Sequence, residues 1–125
     1  MKTVISTKEA PAAIGPYSQA VEAGGLIFIS GQLPVDPATG ARETADTALQ
    51  TSAVIRNIEA ILRSRGLSLD NVIKTTVFMT DLGEFAKMNE VYARFFTANP
   101  PARATIEVKA LPKAALVEIE AVASK

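Results

Sequence analysis

The chain has 125 residues, the size of one domain, and 48% of them are hydrophobic, enough to build a core. Thirteen basic residues balance thirteen acidic ones (Lys+Arg 13, Asp+Glu 13), so there is no cationic surplus to neutralise a phosphate backbone, and nucleic-acid binding is not favoured. There is no cysteine and no histidine, which excludes disulfides, thiol nucleophiles, a Ser-His-Asp triad, a Cys-His pair and thiolate or imidazole metal sites within this chain.

Met1–Ser6 has no long apolar run followed by a cleavage site, and no segment approaches a membrane span. The expectation is one soluble, cytoplasmic domain over 1–125. Tyr17–Ala23 and Leu26–Ser30 read as strands joined at Gly24-Gly25, a two-residue hairpin signal. Pro34–Gly40 reads as a loop, because Pro34, Asp36-Pro37 and Thr39-Gly40 are all turn residues. A long helix is expected from about Thr44 to Arg65, with Val54, Ile58, Ile61 and Leu62 on one stripe and Ile55 at its edge. Thr44 or Asp46 can cap its start, and Gly66 stands where a left-handed C-terminal residue belongs. Val72–Thr80, rich in β-branched residues, reads as a strand.

A second helix is expected from about Leu82 to Thr97, with Asp81 and Glu84 at capping-box spacing. Phe85, Met88, Val91 or Tyr92, Phe95 and Phe96 share one face and read as core. Asn99-Pro100-Pro101 ends it, and two strands finish the chain, about Arg103–Lys109 and Leu116–Ala123. The order β-β-α-β-α-β-β implies an α+β layer, one sheet face covered by two helices. Arg103, Thr105, Glu107 and Lys109 lie opposite Ala104, Ile106 and Val108; Leu116, Glu118, Glu120 and Val122 lie opposite Val117, Ile119, Ala121 and Ala123. The second sheet face is therefore mixed, which suits solvent or a subunit interface. A simple hairpin of the last two strands would oppose Glu107 to Glu118, which is unfavourable. Either the register differs or the strands are not neighbours.

Two residues stand out chemically. Arg103, in Pro101-Ala102-Arg103-Ala104-Thr105, offers a bidentate clamp for a carboxylate. Glu118, among apolar neighbours in Val117-Glu118-Ile119, offers a general acid or base. Spacing alone favours the plainer reading, the solvated face of a strand. Tyr17 follows a Gly-Pro step and can donate to a ligand or simply open a strand. Ser30-Gly31 allows close approach of a ligand to the backbone, or marks a bulge. Asn89 lies off the main apolar line of its helix, a surface or interface amide. Gly24-Gly25 lacks any phosphate-loop context, and no Asp-rich loop suggests an oxygen-ligated metal.

Taken together, the stretches Ala10–Ala20, Ser30-Gly31-Gln32-Leu33-Pro34, Lys74–Phe78, Asn89-Glu90-Val91-Tyr92, Phe95-Phe96, Pro101–Thr105 through Leu111-Pro112-Lys113, and Val117–Ala123 resemble the RidA (YjgF) family of reactive-intermediate imine deaminases, over essentially the whole chain. The resemblance implies a chorismate mutase-like fold, a mixed six-stranded sheet covered on one face by two helices, assembled as a homotrimer with sites between subunits. It implies hydrolysis of 2-imino acids to 2-keto acids and ammonia without a cofactor or metal. Arg103 would hold the substrate carboxylate, and Glu118 would activate water and shuttle a proton. Tyr17, Ser30, Gly31, Asn89 and Thr105 would line the pocket, Thr105 standing where many members carry cysteine. Competing readings are a non-catalytic trimer that binds 2-keto acids, an RNA-acting translation inhibitor, which the neutral charge and absent histidine disfavour, and a chaperone-like role.

Overall fold

A computed structural model describes all 125 residues. The chain runs β1 (Thr3–Ile5), β2 (Ala20–Ala23), β3 (Leu26–Gln32), α1 (Thr47–Arg63), β4 (Val72–Met79), α2 (Phe85–Phe95), β5 (Ala102–Glu107) and β6 (Val117–Ser124). The strands form one six-stranded sheet in the order β1-β2-β3-β6-β4-β5. Only the β4–β5 pair is parallel, as a strand–helix–strand crossover through α2 requires. The expected α+β layer, with a mixed sheet and two helices, is what the chain adopts.

Asp46, in extended conformation, starts α1 by accepting from the Leu49 amide at 2.9 Å. Gly66, at φ +72°, turns the chain away after Arg63. Between these ends Val54, Ile55, Ile58, Ile61 and Leu62 are all fully buried. Each contributes roughly 1.5–3 kcal/mol of transfer free energy. They pack on Ile27, Val77, Val117, Ile119 and Ala123 from the covered sheet face.

Several expectations need correction. The sheet gains β1, too short to carry an alternation signal. The strand expected from Tyr17 starts at Ala20, and Tyr17 lies in the irregular segment just after the Gly15-Pro16 bend. The second helix begins at Phe85 after a 3-10 turn, Leu82–Glu84. Its capping box does not form. Asp81 caps that turn through the Gly83 amide at 2.8 Å, while Glu84 reaches Thr47 and Lys87 instead. Met88, Val91, Tyr92 and Phe96 are core as expected, but Phe85 is not, being about one-third exposed (36%).

The last two strands are not neighbours. β4 lies between them, so Glu107 pairs with Met79 and Glu118 with Phe78. The predicted clash of Glu107 with Glu118 is thereby avoided. The register has a second consequence. Arg103 is level with Thr75 and Thr105 with Val77, both fully buried beneath the helices. In β5 the polar residues therefore face the helix layer, and Ala104 and Ile106 face the open side.

Candidate active site

The open sheet face, opposite the helices, carries Glu118, and the helix side carries Arg103. This follows from the period of two in each strand. Val117 and Ile119 are fully buried on the covered face, so Glu118 between them projects the other way. The predicted site residues divide accordingly into two groups.

The first group is built by β5 and α2. The Arg103 guanidinium donates through Nη1 to Asn89 Oδ1 at 2.8 Å. Its Cζ lies 4.7 Å from the centre of the Tyr92 ring and 5.5 Å from that of Phe85. Phe85, Asn89 and Tyr92 stand at i, i+4 and i+7, one face of α2. No acidic side chain pairs with Arg103, unlike the surface pairs Arg94–Glu90 and Arg65–Glu22. The fork's remaining N–H groups are left for an anion. Thr105 lies half-buried two residues further along the same face.

The second group surrounds Glu118. A cleft of about 540 Å³ is lined by Pro11, Ile14, Tyr17, Gly31, Lys113 and Glu118, among others. Between Ile29 and Gln32 the β3–β6 register slips, leaving an extra residue on β3 and making Ser30-Gly31 a bulge. The absence of a side chain there is required. A Cβ on Gly31 would lie 2.9 Å from Glu118 Cδ and closer still to Oε2. The Ser30 hydroxyl donates to the Ser18 carbonyl at 2.6 Å, and Ser30 lines the adjoining groove with Tyr17. Burial raises the carboxyl pKa of Glu118, and the neighbouring Glu120 charge adds to the rise. No cation or hydrogen-bond donor within the chain offsets this.

Three buried amides that look like ordinary polar residues in the sequence hold the surrounding loops. Gln19 donates to the carbonyls of Thr7, Ala10 and Pro11 and accepts from the Thr7 amide at 2.7 Å. It thus pins the segment that leads to Ile14 and Tyr17. Gln50 accepts from the Leu116 amide at 2.8 Å, fixing the entry to β6. Asn57 donates to the carbonyls of Leu33 and Val35. Across the cleft, Arg42 holds the Ala114 carbonyl at 2.8 Å, where Lys113 and Ala114 both adopt left-handed conformations (φ 58° and 53°).

Asn89, placed by the sequence at a surface or interface, is thus half-buried on Arg103. Arg103, Asn89 and Thr105 come together, as do Tyr17, Gly31 and Glu118, with Ser30 beside them. Within one chain the two sets do not meet, because the sheet separates them.

The family model described as Endoribonuclease L-PSP matches residues 7–125. The chain belongs to the RidA (YjgF) family. Its relatives include a RutC family protein of Pyrococcus horikoshii, 54% identical over all of this chain and 99% of the relative. A 2-iminobutanoate/2-iminopropanoate deaminase of Salmonella typhimurium is 47% identical over 98% of both chains. Among solved structures, E. coli TdcF with bound serine superposes with a TM-score of 0.94 at 46% identity, over 98% of both chains. The family fold is thereby the fold of this chain. No helix is long and apolar enough to cross a membrane, and no three acidic side chains cluster as metal ligands.

Proposed function

We propose that this chain hydrolyses small 2-imino acids, 2-iminobutanoate and 2-iminopropanoate, to 2-oxo acids and ammonia, in sites completed between the subunits of a cytoplasmic homotrimer. The observation that carries the reading is the division of the site. A guanidinium held only by neutral partners lies on one sheet face, and a half-buried carboxyl with a raised pKa lies on the other. Each half lacks what the other supplies, and a second copy of the chain brings both to one substrate.

The open sheet face supports such an assembly. Val4, Val21, Phe28 and Val122 pair in sequence across four strands, and a separate pair, Phe78 with Ile106, lies on the same face past Lys74, Thr76 and Glu120. Phe28 and Ile106 are 43% and 45% exposed in the single chain. Exposed apolar patches of this kind mark interaction surfaces.

The chemistry needs no nucleophilic side chain. A protonated imine is already electrophilic at C2. Arg103 binds the substrate carboxylate bidentately and fixes C2 in place. Glu118 from the facing chain, as carboxylate, accepts a proton from water while the water oxygen bonds to C2, giving a carbinolamine. It then returns the proton to nitrogen. The C–N bond breaks, the hydroxyl becomes the carbonyl, and the departing ammonia takes up the hydroxyl proton and leaves as ammonium. A carboxyl whose pKa is raised by burial holds and returns a proton nearer neutral pH than an exposed one does. The name of the Salmonella typhimurium relative describes this reaction, and E. coli TdcF holds a small amino acid.

The test is 2-oxobutanoate release from 2-iminobutanoate, generated in situ by a threonine dehydratase, with wild type and Arg103→Ala compared. The expected result is acceleration by wild type and a loss of about 10²–10⁴-fold in Arg103→Ala, two charge-assisted hydrogen bonds being removed. No acceleration by folded, assembled wild type would overturn the proposal in favour of a non-catalytic 2-oxo-acid binder.

A further inference from the structure

We infer that Tyr92 is a positioning residue for Arg103, setting the plane of the guanidinium and hence the selectivity of the site for a carboxylate. The inference rests on the reading of Arg103 as the substrate clamp and goes beyond it to what holds that clamp.

The arrangement is a closed loop of contacts. Thr75 and Arg103 are partners on adjacent strands, so their Cα atoms are fixed relative to one another. The Thr75 hydroxyl and the Tyr92 hydroxyl are hydrogen-bonded at 2.7 Å, and both residues are buried. The Tyr92 ring is braced from beyond by Phe96, with centroids 4.6 Å apart. The ring centre in turn lies 4.7 Å from the Arg103 Cζ. The ring is therefore held at its tip by the strand and at its side by its own helix before it meets the guanidinium.

Arginine has many rotatable bonds and loses considerable rotamer freedom on fixing. Two contacts remove different parts of that freedom. Asn89 accepts from Nη1 and fixes rotation within the guanidinium plane. Tyr92 fixes the plane itself, since a guanidinium near an aromatic ring is oriented by the ring quadrupole and by packing. A carboxylate partner would hold the arginine as firmly but would compete with the substrate carboxylate for the same N–H groups. A ring and a neutral amide hold it and leave those groups and the positive charge free. A buried tyrosine at core spacing on α2 is thus more than a packing residue.

The test compares binding of 2-oxobutanoate with binding of 2-oxobutanamide, which lacks the negative charge, alongside KM and kcat for the imino acid. Wild type is expected to favour the acid over the amide strongly. Tyr92→Leu is expected to lose about tenfold of that preference, with KM raised by a similar factor and kcat within about twofold of wild type. Tyr92→Phe keeps the ring, so it is expected to retain most of the preference while melting at lower temperature, its Thr75 hydroxyl being left buried without a partner. Should Tyr92→Leu not fold, Tyr92→Met fills the space without a ring and is read in the same way. An unchanged acid preference in the folded Leu or Met variant would overturn the inference while leaving the function of Arg103 intact. Absence of any acid preference in wild type would remove the Arg103 reading itself, and this inference with it.

Discussion

Replacing Gly31 by alanine tests how the Glu118 carboxyl is placed. The added Cβ would stand 2.9 Å from Glu118 Cδ and 3.3 Å from Cγ. Carbon atoms settle at about 3.5–4.0 Å, and Oε2 starts closer than either carbon, so the carboxyl must withdraw by about 1 Å or more. Gly31 is not in the left-handed region, so the alanine backbone itself is unstrained. Stability should therefore change little while the catalytic geometry changes directly. A misplacement of about 1 Å is worth on the order of 10²-fold in rate. We expect kcat for 2-iminobutanoate to fall about 10²-fold in Gly31→Ala, with the melting temperature and oligomeric state preserved. The assay is steady-state 2-oxobutanoate release, repeated in a Glu118→Ala background. There the substitution should cost almost nothing more, because the group it displaces is gone. Full activity in Gly31→Ala, or an equal additional loss in the Glu118→Ala background, would show that Gly31 does not act through the Glu118 carboxyl.

Two further outcomes follow from the same geometry. The acid limb of the pH profile of kcat/KM should belong to Glu118, activity falling as pH drops and its carboxylate takes up a proton. Because the Glu120 charge helps raise that pKa, Glu120→Gln should shift the limb to lower pH and Glu118→Gln should abolish it; a limb unmoved in both variants would contradict the assignment. Ala114→Gly should stabilise the chain by about 0.5–1 kcal/mol by thermal or urea unfolding, since relief of a left-handed alanine outweighs the extra entropy of glycine in the unfolded chain. Destabilisation would show that the strain at φ 53° is illusory.

What the sequence made legible was periodic or local. The α1 stripe, the Asp46 cap and the Gly66 stop all act within a few residues, and all appear where the pattern places them. β1 escaped because three residues cannot display an alternation. The start of β2 was misplaced because the backbone around Tyr17 is governed by Gln19, whose amide bonds run back as far as Thr7. The strand order depends on β4 entering between β5 and β6, a long-range pairing with no local signature. The opposition of Glu107 and Glu118 was its only trace. The face of β5 was harder still. Its apolar residues Ala104 and Ile106 are those left open in the single chain, on the face that the proposed assembly would cover. The same limit applied to the site. Arg103 and Glu118 could be named from their residue types, but the hydrogen bond of Tyr92 to Thr75 and the closeness of Gly31 to Glu118 are tertiary facts. Tyr92 accordingly read as core and Asn89 as a surface or interface amide.

The claim on which the rest depends is that Arg103 and Glu118 serve one substrate from two chains. Differently tagged Arg103→Ala and Glu118→Ala chains, each with only residual activity alone, can be co-expressed and the mixed oligomers isolated through both tags. In a mixed trimer of either composition, one of the three sites, about one third, then pairs an intact Arg103 of one chain with an intact Glu118 of its neighbour. Imino-acid hydrolysis should reappear in the mixed oligomer at roughly that fraction of wild type. Mixed oligomers as inactive as either parent would contradict it.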